Sequence, residues 1–116
     1  MGDLTANFSR AEFACKCGCG YDDIDEDLVR LLQGLRNWWR KPVRITSGCR
    51  CAAHNAAVGG APASKHVLGI AADVAVDGIP PKEVYRWLDR LLGDTGGLGS
   101  YDGFTHVDVR TQKARW

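Results

Sequence analysis

The chain reads as an α+β domain in which a small, mostly antiparallel sheet is flanked by helices. Three observations predict this. Two stretches carry apolar residues at helical spacing, and four shorter ones alternate or run apolar as strands do. Helices and strands do not alternate regularly, as a parallel sheet would require. The last two strand candidates are close enough in sequence to form a hairpin. At 116 residues there is room for one core, so residues 1–116 are expected to form a single domain.

"IDEDLVRLLQGLRNWWRK" is the clearest helix, with Ile24, Leu28, Leu31, Leu32, Leu35, Trp38 and Trp39 recurring at three and four. Acidic residues crowd its start and basic ones its end, as the helix dipole favours, and Pro42 stops it. The tryptophans of this helix are expected in the core. Val43–Ser47, "VRITS", alternates and is β-branched, so a strand is predicted. "AAHNAA" predicts a short helix or turn closed by Gly59 and Gly60, and "APASKH" a loop. Ile70–Val76 reads as a buried strand. "PPKEVYRWLDRLLG" predicts a second helix, with prolines at its start, Val84, Trp87, Leu88 and Leu91 on one face, and Gly93 at its end. "TGGLGSY" begins a further strand, Asp102-Gly103 signals a turn, and "FTHVDVR" alternates strictly as the expected final strand.

Net charge is +1 with neutral histidines, and no basic run concentrates positive charge, which argues against nucleic acid as a partner. No stretch has the length of a membrane span. The N-terminus lacks a basic start followed by an apolar run, so no secretory signal is expected and synthesis in the cytoplasm is. Five cysteines, at positions 15, 17, 19, 49 and 51, are an odd number, so at least one cannot pair within the monomer. Their C-x-C-x-C and C-x-C grouping differs from the C-x-x-C of zinc ribbons. Reduced packing, a disulfide in an oxidising setting, and a second, structural metal all stand as readings.

On the last strand, His106, Asp108 and Arg110 share one face, and Thr105, Val107 and Val109 the other. A face of His, Asp and Arg is either solvated or lines a working cleft. His66 and Asp73 raise a related question. On a continuous helix they would stand about 10 Å apart along the axis. Zinc bonds of about 2 Å cannot bridge that. The segment must therefore fold back if both bind one ion. Gly69 permits the turn, and the small Ala71 and Ala72 permit close approach of a neighbouring element. Two histidines and an aspartate would leave a fourth position for water, the arrangement of a catalytic zinc. Such an ion lowers the pKa of water to about 7 and polarises a carbonyl.

"SGCR", "HNAAVGG", "SKHVLGIAAD", "GGLGSY" and "HVDVR" occur in an order and spacing that resemble the zinc D-Ala-D-Ala carboxypeptidase family, and within it the branch of short phage and bacterial cell-wall peptidases. "FSRAEFACKCGCG" is similar to that branch too, so the resemblance runs from Phe8 to Trp116. The S-x-H-x-x-G-x-A-x-D pattern followed by H-x-D is specific where a lone H-x-D is not. The resemblance implies the fold shared by lysostaphin, D-Ala-D-Ala peptidases and hedgehog domains, with zinc held by His66, Asp73 and His106. It implies that Arg50 and Ser64 hold substrate, and a guanidinium can grip a carboxylate with two parallel bonds. Ser64 could equally cap the backbone around His66. It implies no ligand role for His54.

One departure stands out. Many members carry a Glu or Asp three residues before the last zinc histidine, as general base, and here that position is Gly103. Asp108 is the candidate base, with Asp102 as the alternative, and Asp108 could instead orient Arg110 or a zinc-bound histidine. The implied activity is hydrolysis of peptidoglycan stem peptides, as a carboxypeptidase or an endopeptidase; a monomer is expected, reaching the cell wall after phage-type release or by export through other means. The rival is a zinc-containing, non-catalytic wall-binding or phage structural module, as hedgehog domains hold zinc without catalysing.

Overall fold

The computed structural model describes residues 2–116. A 3-10 helix, Arg10–Phe13, buries Phe13 beside Phe8, their ring centroids 5.9 Å apart. Helix α1, Glu26–Trp39, starts where the Asp25 carboxylate accepts hydrogen bonds from the backbone N–H groups of Asp27 and Leu28. It ends at Arg40, which takes the left-handed conformation (φ 54°) before Pro42. Its buried face is Leu28, Val29, Leu32 and Leu35. The remaining elements are β1 (Val43–Ser47), α2 (Ala52–Ala57), β2 (Ala71–Val76), α3 (Pro81–Leu92), β3 (Gly97–Ser100), β4 (Thr105–Asp108) and β5 (Ala114–Arg115).

The five strands form one sheet in the order β1-β2-β4-β3-β5. All pairs are antiparallel except β3 with β5, so the sheet is mixed but mostly antiparallel and the fold is α+β. The hairpin expected from the last two strand candidates is the β3–β4 pair. One face of the sheet carries Ala72, Val74, Val76, Leu98 and Val107, which join Leu28, Leu32, Leu35, Val84 and Leu88 in a single apolar cluster. Each fully buried Leu or Val contributes about 1.5–3 kcal/mol of transfer free energy, so this face holds the domain together. The other face is left for chemistry.

Three expectations are corrected. "FTHVDVR" is not the last strand: β5 follows, parallel to β3, and strand structure in β4 stops at Asp108. A two-residue strand has too little sequence for any period, and β5 is held by its neighbours, with Trp116 N–H donating to Leu98 O and Arg115 bonding to Asp89 and to the Gly93 and Gly96 carbonyls. Trp38 is 66% exposed and not core, because it lies one residue off the buried stripe. Trp39 is half-buried, its ring 6.0 Å from that of Trp87. Leu91 is also exposed, and Tyr85 and Leu92 pack at the core's edge in its place, beside the expected Trp87. Among the described residues, no helix is long and apolar enough to cross a membrane.

Candidate metal centre

The register of the central strands brings the polar groups together. Asp73 on β2 pairs directly with His106 on β4, and Ala71 with Asp108. Residues directly opposite share a face, so Asp73, His106 and Asp108 all point away from the apolar cluster. On the other side of β4, Gly99 faces His106 and Gly97 faces Asp108. These glycines are spatial requirements. A Cβ on Gly97 would overlap the Asp108 carboxylate and Arg110 Nε, and one on Gly99 the Trp116 indole.

His66 arrives from the loop before β2. Four backbone hydrogen bonds coil residues 64–70 into consecutive turns: Val67 to Ser64, Leu68 to Lys65, Gly69 to His66 and Ile70 to Lys65. Gly69 has φ 74°, and a Cβ there would strike the Asp23 carbonyl. Tyr21 Oη donates to Val67 O at 2.7 Å, and Asp25 N to Gly69 O at 2.8 Å, which anchors the loop to the start of α1. The chain thus folds back between His66 and Asp73, as a shared ion demands.

The ring nitrogens are sorted by their partners. His66 Nδ1 lies 2.7 Å from the Gly48 carbonyl, which can only accept, so Nδ1 carries the proton and Nε2 points at Asp73 Oδ1, 3.2 Å away. His106 Nε2 lies 2.8 Å from Asp108 Oδ2, leaving Nδ1 3.1 Å from the same Asp73 oxygen. Burial would raise the Asp73 pKa, but its interactions with the facing His106 and His66 rings outweigh it and hold the value down at about 2. Burial would lower that of His106, but its bonds to Asp108 and Asp73 win and raise it above 6.5. Asp108, against burial, is held well below the usual carboxylate range by His106 and Arg110. The centre is thus built to hold positive charge.

The donor set suits zinc. His66, Asp73 and His106 are all buried, and each offers one ligand atom within 4.8 Å of the others. Tetrahedral zinc with bonds of 2.0–2.1 Å separates its ligand atoms by about 3.3 Å. The donor pairs at 3.1 and 3.2 Å are already near that spacing. Asp108 behind His106 and the Gly48 carbonyl behind His66 fix ring orientation, as partners of metal-bound histidines do.

The centre forms the floor of an open cleft of about 670 Å³. Arg50 and Ser64 both line it. Arg50 Nη2 donates to Asp73 Oδ2 at 3.3 Å, its Nε to Ser47 Oγ and its Nη1 to Asn55 Oδ1. Ser64 Oγ accepts from His66 N–H at 3.2 Å, which is the capping arrangement. Asp108 is fully buried behind the cleft, with Oδ1 taken by Arg110 N and Nε and Oδ2 by His106 and Arg110 Nη2. Asp102 is exposed on the turn between β3 and β4, in a groove beside Arg44 and Pro81. His54 contributes its backbone N–H to Cys51 Sγ.

Sequence reasoning did not assign the aromatic wall of the cleft. Tyr101 and Phe104 stack at 4.6 Å, and Trp116 stands 5.0 Å from the His106 ring and 5.3 Å from the Arg110 guanidinium. Trp116 borders the cleft from the end of the chain described, while Tyr101 and Phe104 flank an Asp-Gly turn that by itself signals only a reversal.

Two histidines and an aspartate converging in an open cleft define a mononuclear metallohydrolase type of centre. The sequence matches the peptidase M15 family over residues 6–108, and the chain belongs to that family of zinc D-Ala-D-Ala carboxypeptidases. No curated protein sequence matches it.

Proposed function

We propose that the chain is a zinc peptidase that hydrolyses a peptide bond in the stem peptides of peptidoglycan, acting on the cell wall as a monomer. The observation that carries this is the convergence of His66 Nε2, Asp73 Oδ1 and His106 Nδ1 on the floor of the cleft, with Arg50 beside them. Zinc, when bound there, supplies a Lewis acid that acidifies water and polarises a carbonyl.

The chain's own groups do the rest. Asp108 holds His106 by Nε2 and so turns the Nδ1 lone pair toward Asp73 and the place a metal would take. Arg50 presents its guanidinium to an anionic substrate group, which favours a scissile bond near a terminal carboxylate. Tyr101, Phe104 and Trp116 provide an apolar wall for the peptide. The proton acceptor we assign is Asp102, which lies outside the cleft on the β3–β4 turn and would have to swing in to serve. Both Asp108 oxygens are engaged, whereas Asp102 is exposed on a turn whose neighbours Tyr101 and Phe104 line the cleft.

A second reading has one observation in its favour. Among the described residues, Asp73 is the only carboxylate lining the cleft, which suits a module that holds zinc and binds the wall without cutting it. Incubation with muropeptides ending in D-Ala-D-Ala, and separately with cross-linked muropeptides, distinguishes the cases. Released D-Ala or new free amines, abolished by a chelator and restored by zinc, is the expected result. Wall binding without either product from zinc-loaded protein would install the binding-module reading.

A further inference from the structure

Away from the cleft, four of the five cysteines converge. We propose that Cys15, Cys17, Cys19 and Cys51 form a second metal site, a structural zinc held by four thiolates. Their sulfurs all lie within 4.8 Å of one another. The Cys15–Cys17, Cys17–Cys51 and Cys15–Cys51 separations are 3.4, 3.6 and 3.9 Å. Tetrahedral zinc with Zn–S bonds near 2.3 Å places its sulfurs about 3.8 Å apart, and these three distances bracket that edge. None of the cysteines is in a disulfide. Cys49 lies in the apolar core, so the odd cysteine has a separate place.

The backbone is arranged for this convergence. Cys15 N–H donates to Tyr21 O at 2.8 Å and Gly18 N–H to Cys15 O at 3.2 Å, closing the CKCGCG segment into a tight loop. Gly18 and Gly20 have φ of 81° and 91°, with open space where a Cβ would stand, so glycine serves the backbone conformation there. Two backbone N–H groups point at sulfur: that of Cys51 at Cys15 Sγ and that of His54 at Cys51 Sγ, both at 3.4 Å. Such donors favour the thiolate. Four soft ligands in a tetrahedron suit zinc or iron, and zinc is the ion that brings no redox chemistry to a purely structural post. On binding, the four thiols release four protons to solvent and no electron moves.

The site would clamp the N-terminal loop to the segment that serves the cleft. Cys51 directly follows Arg50, whose N–H donates to His66 O, and Gly48 supplies the carbonyl that orients His66. Cys49 N–H donates to Phe13 O at 2.8 Å, a second tie between the same two segments. The inference stands on the cysteine geometry and does not depend on peptidase activity.

Native mass spectrometry of the zinc-loaded chain tests it. The expected count is two zinc ions for the wild type, one for His106→Ala, and one for a Cys17→Ser/Cys19→Ser variant. Loaded with cobalt(II), His106→Ala should show intense thiolate-to-cobalt charge-transfer absorption, which the double cysteine variant should lack. In wild type, alkylation of Cys17 and Cys19 should wait for a chelator, a readout that needs no variant. Prompt alkylation of both in zinc-loaded wild type, a disulfide in the intact mass, iron at the thiolates, or no ion left in folded His106→Ala would overturn the proposal. A cleft that held no zinc would lower the wild-type count to one and leave the cobalt and alkylation results unchanged.

Discussion

Asp73 presents Oδ1 to both histidines and Oδ2 to Arg50, so one carboxylate organises the ligands and the arginine at once. Asp108 has a different task, because it is fully buried with both oxygens bonded. Asp108→Asn should therefore lower zinc affinity by about 10–100-fold and leave turnover at saturating zinc near normal. A general base lost at Asp102→Asn should instead reduce turnover by about 10²–10⁴-fold. Steady-state kinetics and competitive zinc titration of the two variants decide the assignment, and a turnover loss confined to Asp108→Asn would reverse it. The metal-free chain should also show a signature in pH. Asp73 is depressed from 3.8 to about 2, so its contribution to stability is complete above 3.8 and is lost as pH falls toward 2. His106 is raised from 6.5, so its contribution is complete below 6.5 and is lost as pH rises through its folded value. Denaturant melts of the metal-free chain should thus weaken on the alkaline side of 6.5, while zinc-loaded protein, with His106 held neutral by the ion, should not lose this contribution. Equal alkaline profiles for the two forms would contradict the pairing of His106 with Asp73 and Asp108.

The elements differ in how much of themselves they announce in sequence. α1 was legible because Leu28, Leu32 and Leu35 repeat at helical spacing, acidic residues crowd its start and Pro42 stops it. β1 and the His106/Asp108 face of β4 were legible because alternation is a property of the strand itself. β5 was not, since its two residues are placed by bonds to β3, Gly96 and Asp89. Likewise, the pattern SKHVLGIAAD marked His66 and Asp73 as ligands, but Gly48's carbonyl and the closed pocket around Asp108 depend on register between strands, which no local pattern encodes. Gly97 shows this dependence most sharply, because its meaning lies in the strand next to it. Gly97→Ala would push a Cβ into the Asp108 carboxylate and Arg110, so the chain should fold and bind zinc more weakly. Gly103→Ala is the control, as a Cβ there meets nothing within 4 Å. Titration of both should weaken zinc binding in the first alone. On the opposite face, Leu32→Ala should cost about 2–5 kcal/mol of stability, measured by urea unfolding, since Leu32 is fully buried in the core cluster.

At the scale of the molecule, the cleft is an assembly of distant segments. Its candidate ligands sit at positions 66, 73 and 106, its arginine at 50 and its tryptophan at 116, and the sheet order β1-β2-β4-β3-β5 is what brings them together. An ion bound by all three ligands belongs to the folded chain alone, because an unfolded chain cannot hold this set in register. Zinc should therefore stabilise the fold by mass action, by about 2.7 kcal/mol at a free concentration 100 times the dissociation constant. For a domain near this size, each kcal/mol moves the melting temperature by roughly 4–8 °C, so the shift from this one centre should be on the order of 10–20 °C. Differential scanning calorimetry with and without zinc measures it. His106→Ala removes one of three ligands, so it should forfeit this part of the shift and keep the part that comes from the cysteine site. The Cys17→Ser/Cys19→Ser variant should do the reverse. A zinc-dependent shift that survives intact in His106→Ala would mean that the ion responsible binds elsewhere, and the assignment of the cleft as the metal centre would fall with it.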